Sequence, residues 1–169
     1  MPGMRTSVLS AWLLAALPAV ASAQEAGNLL GDPFVQVTAA MAACPVPRGP
    51  YVTADSVRRA AHGRTQMGGS CYRVGRCRLP NAYLYDREII PRVSLYIRED
   101  GRFADTSVWV VGAARMVTLM GCVQSKEQAD ALQQAVALVD DVLGVANLLM
   151  VGTQGPPPYR LVGDTTPDF

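Results

Sequence analysis

The sequence predicts an α+β fold: an α-β-β-α-β unit over residues 86–151, with a three-stranded sheet covered on one face by two helices. Three observations lead there. Two runs of β-forming residues, 108–111 (Val-Trp-Val-Val) and 117–123 (Val-Thr-Leu-Met-Gly-Cys-Val), stand one turn apart. A capped helical stretch opens at Ser125. A third apolar run, residues 145–151, follows it. Ahead of the unit lies an irregular and helical extension, residues 24–85, which disulfides are expected to tie down; behind it lies a proline-rich tail, residues 152–169.

Each element has a local reason. Asp86 can cap a helix whose apolar positions Ile89, Ile90, Val93 and Ile97 recur at three- and four-residue spacing. Pro91 falls near its start, or moves that start to Ile90. On the strands, Val108 and Val110 alternate with Trp109 and Val111, and Val117, Leu119, Gly121 and Val123 alternate with Met116, Thr118, Met120 and Cys122. Ser125 with Gln128 makes a capping box, backed by the stripe Ala129, Leu132, Val136 and Val139.

The sheet's second face carries Trp109, Val111, Met116, Met120, Cys122, Leu148 and Met150, where a sheet packed on one side should be polar. Such a surface calls for a partner or a cover from the same chain. Residues 44–80 are the expected cover, tied to Cys122 by a disulfide.

The first residues decide the compartment. Arg5 precedes an apolar run from Val8 to Leu17, and Ala21-Ser22-Ala23 reads as a cleavage site ahead of Gln24. The apolar run is too short to span a bilayer. Residues 1–23 are therefore expected to be a signal peptide, and the chain to be exported to the periplasm. In an oxidising compartment Cys44, Cys71, Cys77 and Cys122 are best read as two disulfides. Cys71 and Cys77 flank a tight hairpin and could close on each other, leaving Cys44 for Cys122; alternatively each hairpin cysteine joins one of the outer two. A zinc site from Cys44, His62, Cys71 and Cys77 lacks any C-x₂-C pair, so no metal is expected.

In the extension, Asp32-Pro33 opens either a helix reaching Ala43 or a strand at residues 34–38, and a second helix opens at Thr53. The prolines at 45, 47 and 50 make the intervening stretch irregular. Basic and acidic residues number 15 and 14, a balance that excludes a general nucleic-acid binder. Seven arginines (48, 58, 59, 64, 73, 76 and 78) nevertheless face a single acid, Asp55, between Cys44 and Tyr85. That block is a solvated basic face or a contact for anionic headgroups.

Catalysis finds little support. The one histidine, His62, has no carboxylate cluster near it in sequence, and Gly68-Gly69-Ser70 lacks the lysine of a phosphate-binding loop. No catalytic residue and no cofactor is expected.

The strand residues Val108 and Val110, then Val117-Thr118-Leu119 with Gly121 and Val123, and finally Val142, Val145, Asn147, Leu149 and Val151, resemble the BON domain, a small module of bacterial envelope proteins. Two positions depart from its pattern: the usual Asn-Gly-like turn is Ala113-Ala114-Arg115, and Asp141 stands where a glycine precedes the third strand. No internal repeat signals a second copy. The resemblance implies a non-enzymatic envelope protein that associates peripherally with anionic phospholipid; the alternative is an interaction module for another envelope protein. On the unit's first helix, Arg92, Leu95, Tyr96 and Arg98 are the candidate lipid contacts, since arginine reaches phosphate, tyrosine suits the headgroup layer and leucine enters the acyl boundary. Alternatively, Tyr96 packs on the extension and Arg98 pairs with Glu99 or Asp100.

Overall fold

A computed structural model describes residues 26–168; the signal-peptide reading and its cleavage point after Ala23 lie outside them. In chain order the elements are β1 (Phe34–Gln36), α1 (Ala54–Gln66), α2 (Gly69–Arg73), α3 (Asp86–Glu99), β2 (Ser107–Ala113), β3 (Met116–Val123), α4 (Lys126–Ala137) and β4 (Gly144–Val151). The fold is α+β, and the predicted α-β-β-α-β order holds from α3 to β4.

The sheet has four strands rather than three, in the order β1-β2-β3-β4. β1 and β3 flank β2 antiparallel, and β4 runs parallel to β3. The added strand comes from the ambiguous stretch after Pro33. β-branched and aromatic residues there win over the helix that Asp32-Pro33 could have opened.

Alternation along the strands separates two apolar layers. Toward the helices, Ile89, Val93 and Ile97 of α3 and Leu132 and Val136 of α4 bury against Val108, Val110, Val117 and Leu119. On the far side, Trp109, Met120, Cys122 and Met150 pack with Cys44 and Tyr159, and with the half-buried Phe34 and Met41. This face is covered by the chain itself, as expected, but the cover differs from residues 44–80. It comes from β1, the segment reaching Cys44, and the tail.

The Cys44–Cys122 disulfide fastens that cover, and Cys71–Cys77 closes a separate short loop. All four cysteines are thereby spoken for, which removes the thiolates a zinc site would need. Cys71 lies in α2, so its loop is a helix followed by a turn at Gly75, not a β-hairpin.

The tail is extended but held at several points. The Tyr159 hydroxyl donates to the Pro45 carbonyl at 2.8 Å, and Arg48 N–H donates to the Arg160 carbonyl at 2.9 Å. The Arg48 guanidinium reaches the carbonyls of Asp164 (2.9 Å) and Thr166 (2.6 Å) and pairs with Asp168.

α1 and α2 sit beside the start of α3. Thr53 caps α1, and Arg64 at its far end pairs with Asp32, donating at 3.1 Å. The Asn81 amide donates to the Arg64 carbonyl at 2.6 Å and fixes the approach to α3.

Two local readings change. Asp86 does not cap α3; Tyr85 holds that position, and Asp86 is the buried first residue of the helix. Its carboxylate accepts from the N–H groups of Ala114 and Arg115, both at 2.7 Å. Those two residues form the β2–β3 turn with positive φ, 55° and 70°, the left-handed pair that Asn-Gly usually supplies. Asp86 supports it in their place. Pro91 lies inside α3 rather than at its start, leaving the Arg87 carbonyl without its usual helical donor.

Candidate functional site

α3 antiparallels β2: Asp86 meets the turn after β2, and Ile90 lies so close to Gly112 that a Cβ there would come within 2.8 Å of Ile90 Cγ1. With its apolar stripe turned inward, the helix offers two flanks and an outer ridge.

One flank faces α4 and is closed by charge. Arg92 donates to Glu88 (3.3 Å), to Asp141 (3.2 Å) and to the Asp140 carbonyl (3.0 Å). Asp141 also pairs with Arg78 (3.2 Å) and Arg115 (3.6 Å). Burial pushes the Asp141 carboxyl up, but hydrogen bonds from Arg92 and Arg78 outweigh it and hold the group below its ordinary range. Glu88 is held low chiefly by Arg78. Asp141 has φ 72°, so the residue that replaces a glycine keeps a glycine-like backbone and adds an anchor for three arginines.

Tyr96 lies on this side too. It lines a shallow depression with Arg92, Ala135, Leu138 and Val139, toward α4 and away from the extension. Asp100 pairs with Arg102, which holds its carboxyl down at about 2. Neither half of the local-packing alternative for Tyr96 and Arg98 is therefore met.

The outer ridge carries Leu95, 54% exposed, and across the depression stands Leu138, 84% exposed at the end of α4.

The other flank faces β1 across a groove of about 480 Å³, lined by Pro33, Phe34, Val35, Arg87, Ile90, Pro91, Ser94 and Arg98. Arg87, Pro91, Ser94 and Arg98 stand at helical steps of four, three and four, so they form one stripe. Arg87 and Arg98 are exposed and have no ion-pair partner among the described residues. Ser94 is 4% exposed, and its hydroxyl has no hydrogen-bond partner among them either.

The four predicted contacts are thus divided. Leu95 and Arg98 are free at the surface, Tyr96 is half-turned toward α4, and Arg92 is committed to an acidic cluster. Sequence reasoning missed Arg87 and Leu138. The i, i+11 spacing of Arg87 and Arg98 was available as a signal; nothing in the sequence places Leu138 beside Tyr96. The arginine block of the extension is neutralised in part: Arg48, Arg58, Arg64 and Arg78 each pair with an acid, whereas Arg59, Arg73 and Arg76 have no ion-pair partner among the described residues. His62 is exposed on α1.

Residues 86–153 match the model of the BON domain. The chain carries a BON domain. The match runs from the start of α3 to two residues beyond β4, so β1, α1, α2 and most of the tail lie outside it. BON domains form a non-catalytic, binding-type family associated with membranes and phospholipid. No curated protein significantly matches the sequence. Among the described residues, no helix is long and apolar enough to cross a membrane.

Proposed function

We propose that this protein is a non-enzymatic, exported envelope protein whose BON domain associates peripherally with anionic phospholipid through the outer side of α3. The observation that carries this reading is the pair of unneutralised arginines, Arg87 and Arg98, on the β1-facing flank next to exposed Leu95 on the outer ridge; half-exposed Tyr96 and Leu138 stand on the other side of that ridge. Leucine and tyrosine suit the acyl boundary and headgroup layer, and the guanidinium groups suit phosphate. Each basic residue at an anionic surface contributes on the order of 1 kcal/mol, so two give weak association that salt reverses. Two disulfides support an oxidising compartment, and the leader-like residues 1–23 support the periplasm.

Co-sedimentation of the oxidised protein with vesicles tests the reading. Binding is expected to vesicles containing phosphatidylglycerol, to weaken with added salt, and to be absent from purely zwitterionic vesicles. Equal binding to both compositions, or to neither, contradicts it. An interaction-module role remains the second reading, and the edge of β1 is the feature that favours it.

A further inference from the structure

β1 is an edge strand, and the groove runs along it. Strand alternation turns the backbone of Pro33, Val35 and Val37 toward β2. Gly112 N–H donates to the Pro33 carbonyl at 3.0 Å, and Val37 N–H donates to the Val108 carbonyl at 2.8 Å. The N–H and C=O groups of Phe34 and Gln36 therefore point outward, along an edge that pairs with no strand among the described residues. β1 lies outside the matched BON domain, so this edge is a feature of the added segment.

We propose that this edge takes an extended acidic peptide from a partner protein as a fifth strand, with alternate side chains lying in the groove against α3. Three observations point to that occupant. Outward backbone donors and acceptors in alternation are satisfied by another strand, whereas an acyl chain satisfies none of them. Arg87 and Arg98 stand at the two ends of the groove, eleven residues or roughly 16 Å apart along the helix. The first and fifth side chains of an extended strand share one face about 13 Å apart, so acids at those positions meet the two guanidinium groups, whose long side chains cover the remaining distance. Ser94 lies between them with its hydroxyl shielded from solvent, a small residue that leaves room for the side chain at the third position. Between these polar points, Val35, Ile90 and Pro91 give apolar contact. A second copy of this chain is a poorer occupant, because pairing β1 with β1 brings arginines toward arginines.

Fluorescence anisotropy with a labelled Thr-Asp-Val-Thr-Val-Asp-Thr peptide and the oxidised chain tests this. Saturable binding is expected, weakened at least about tenfold when both Asp residues of the peptide become Lys. Arg87→Glu on the protein should weaken the acidic peptide by a similar factor and improve the lysine peptide. Backbone amide signals of Phe34 and Gln36 should shift on peptide addition. Leu95→Glu, outside the groove, should leave peptide binding unchanged while weakening vesicle binding, which separates the two readings although Arg87 and Arg98 serve both. Equal affinity for the two peptides, unmoved Phe34 and Gln36 amides, or no saturation at about 1 mM peptide would each overturn the edge proposal. Vesicle binding that survives those results leaves the phospholipid reading intact.

Discussion

The inner and outer sides of α3 are built from the same fourteen residues and do different work. Inward, Ile89, Val93 and Ile97 are fully buried, Asp86 supports the β2–β3 turn, and Arg92 is drawn into the Asp141 cluster. Outward, Arg87, Leu95 and Arg98 contact solvent, and the two arginines have no ion-pair partner among the described residues. Charge alone does not mark a binding residue on this helix. Arg92 and Arg98 look alike in sequence, yet one is committed to an acidic cluster and the other is free.

Inner substitutions should therefore cost stability, and outer ones should cost binding. The largest stability effect is expected for Ile97→Ala, about 3 to 4 kcal/mol by chemical denaturation, from lost burial and the cavity left behind. The protein that remains folded should bind vesicles normally. Asp86→Ala should cost about 2 kcal/mol, because the Ala114 and Arg115 N–H groups lose their acceptor in a turn already at positive φ. Asp141→Asn should cost less, roughly 1 kcal/mol, since two of its three arginine partners, Arg78 and Arg92, keep contact with solvent.

That last loss should depend on pH. Asp141 and Glu88 both titrate below their ordinary values in the folded protein. Their contribution is therefore present above the unfolded carboxylate range, near pH 4, and disappears as pH falls through the lower folded values. Thermal melts of the parent protein and Asp141→Asn should differ at pH 6, and the difference should shrink progressively as pH falls below the ordinary carboxylate range, near pH 4. A constant difference across that range would show that the Asp141 cluster holds the α4-facing flank by something other than charge.

Much of this division was legible in sequence and some was not. Three- and four-residue spacing places Ile89, Val93 and Ile97 inward, and the same rule groups Arg87 with Arg98. The sheet's second face was readable as needing a cover, because Trp109, Met120 and Cys122 share one strand face. Which segment covers it was not readable, since Tyr159 arrives from a proline-rich tail with no periodicity. The fate of Arg92 was hidden for a related reason: Asp141 lies 49 positions away, and only the α4–β4 connection brings it alongside. The acceptor role of Asp86 was hidden as well. A sequence reading sees a helix-start aspartate, while the turn it supports depends on how β2 and β3 return beside α3.

On the outer side, Arg87→Glu with Arg98→Glu should shift stability by no more than about 0.5 kcal/mol, as both residues are exposed and free of ion pairs. The most direct measurement is co-sedimentation of this double variant with phosphatidylglycerol vesicles at low salt, beside Arg92→Gln and the parent protein. The expected result is a loss of at least about tenfold for the double variant and little change for Arg92→Gln. Undiminished binding by the double variant, or an equal loss from Arg92→Gln, would contradict the assignment of the outer side of α3 as the membrane contact.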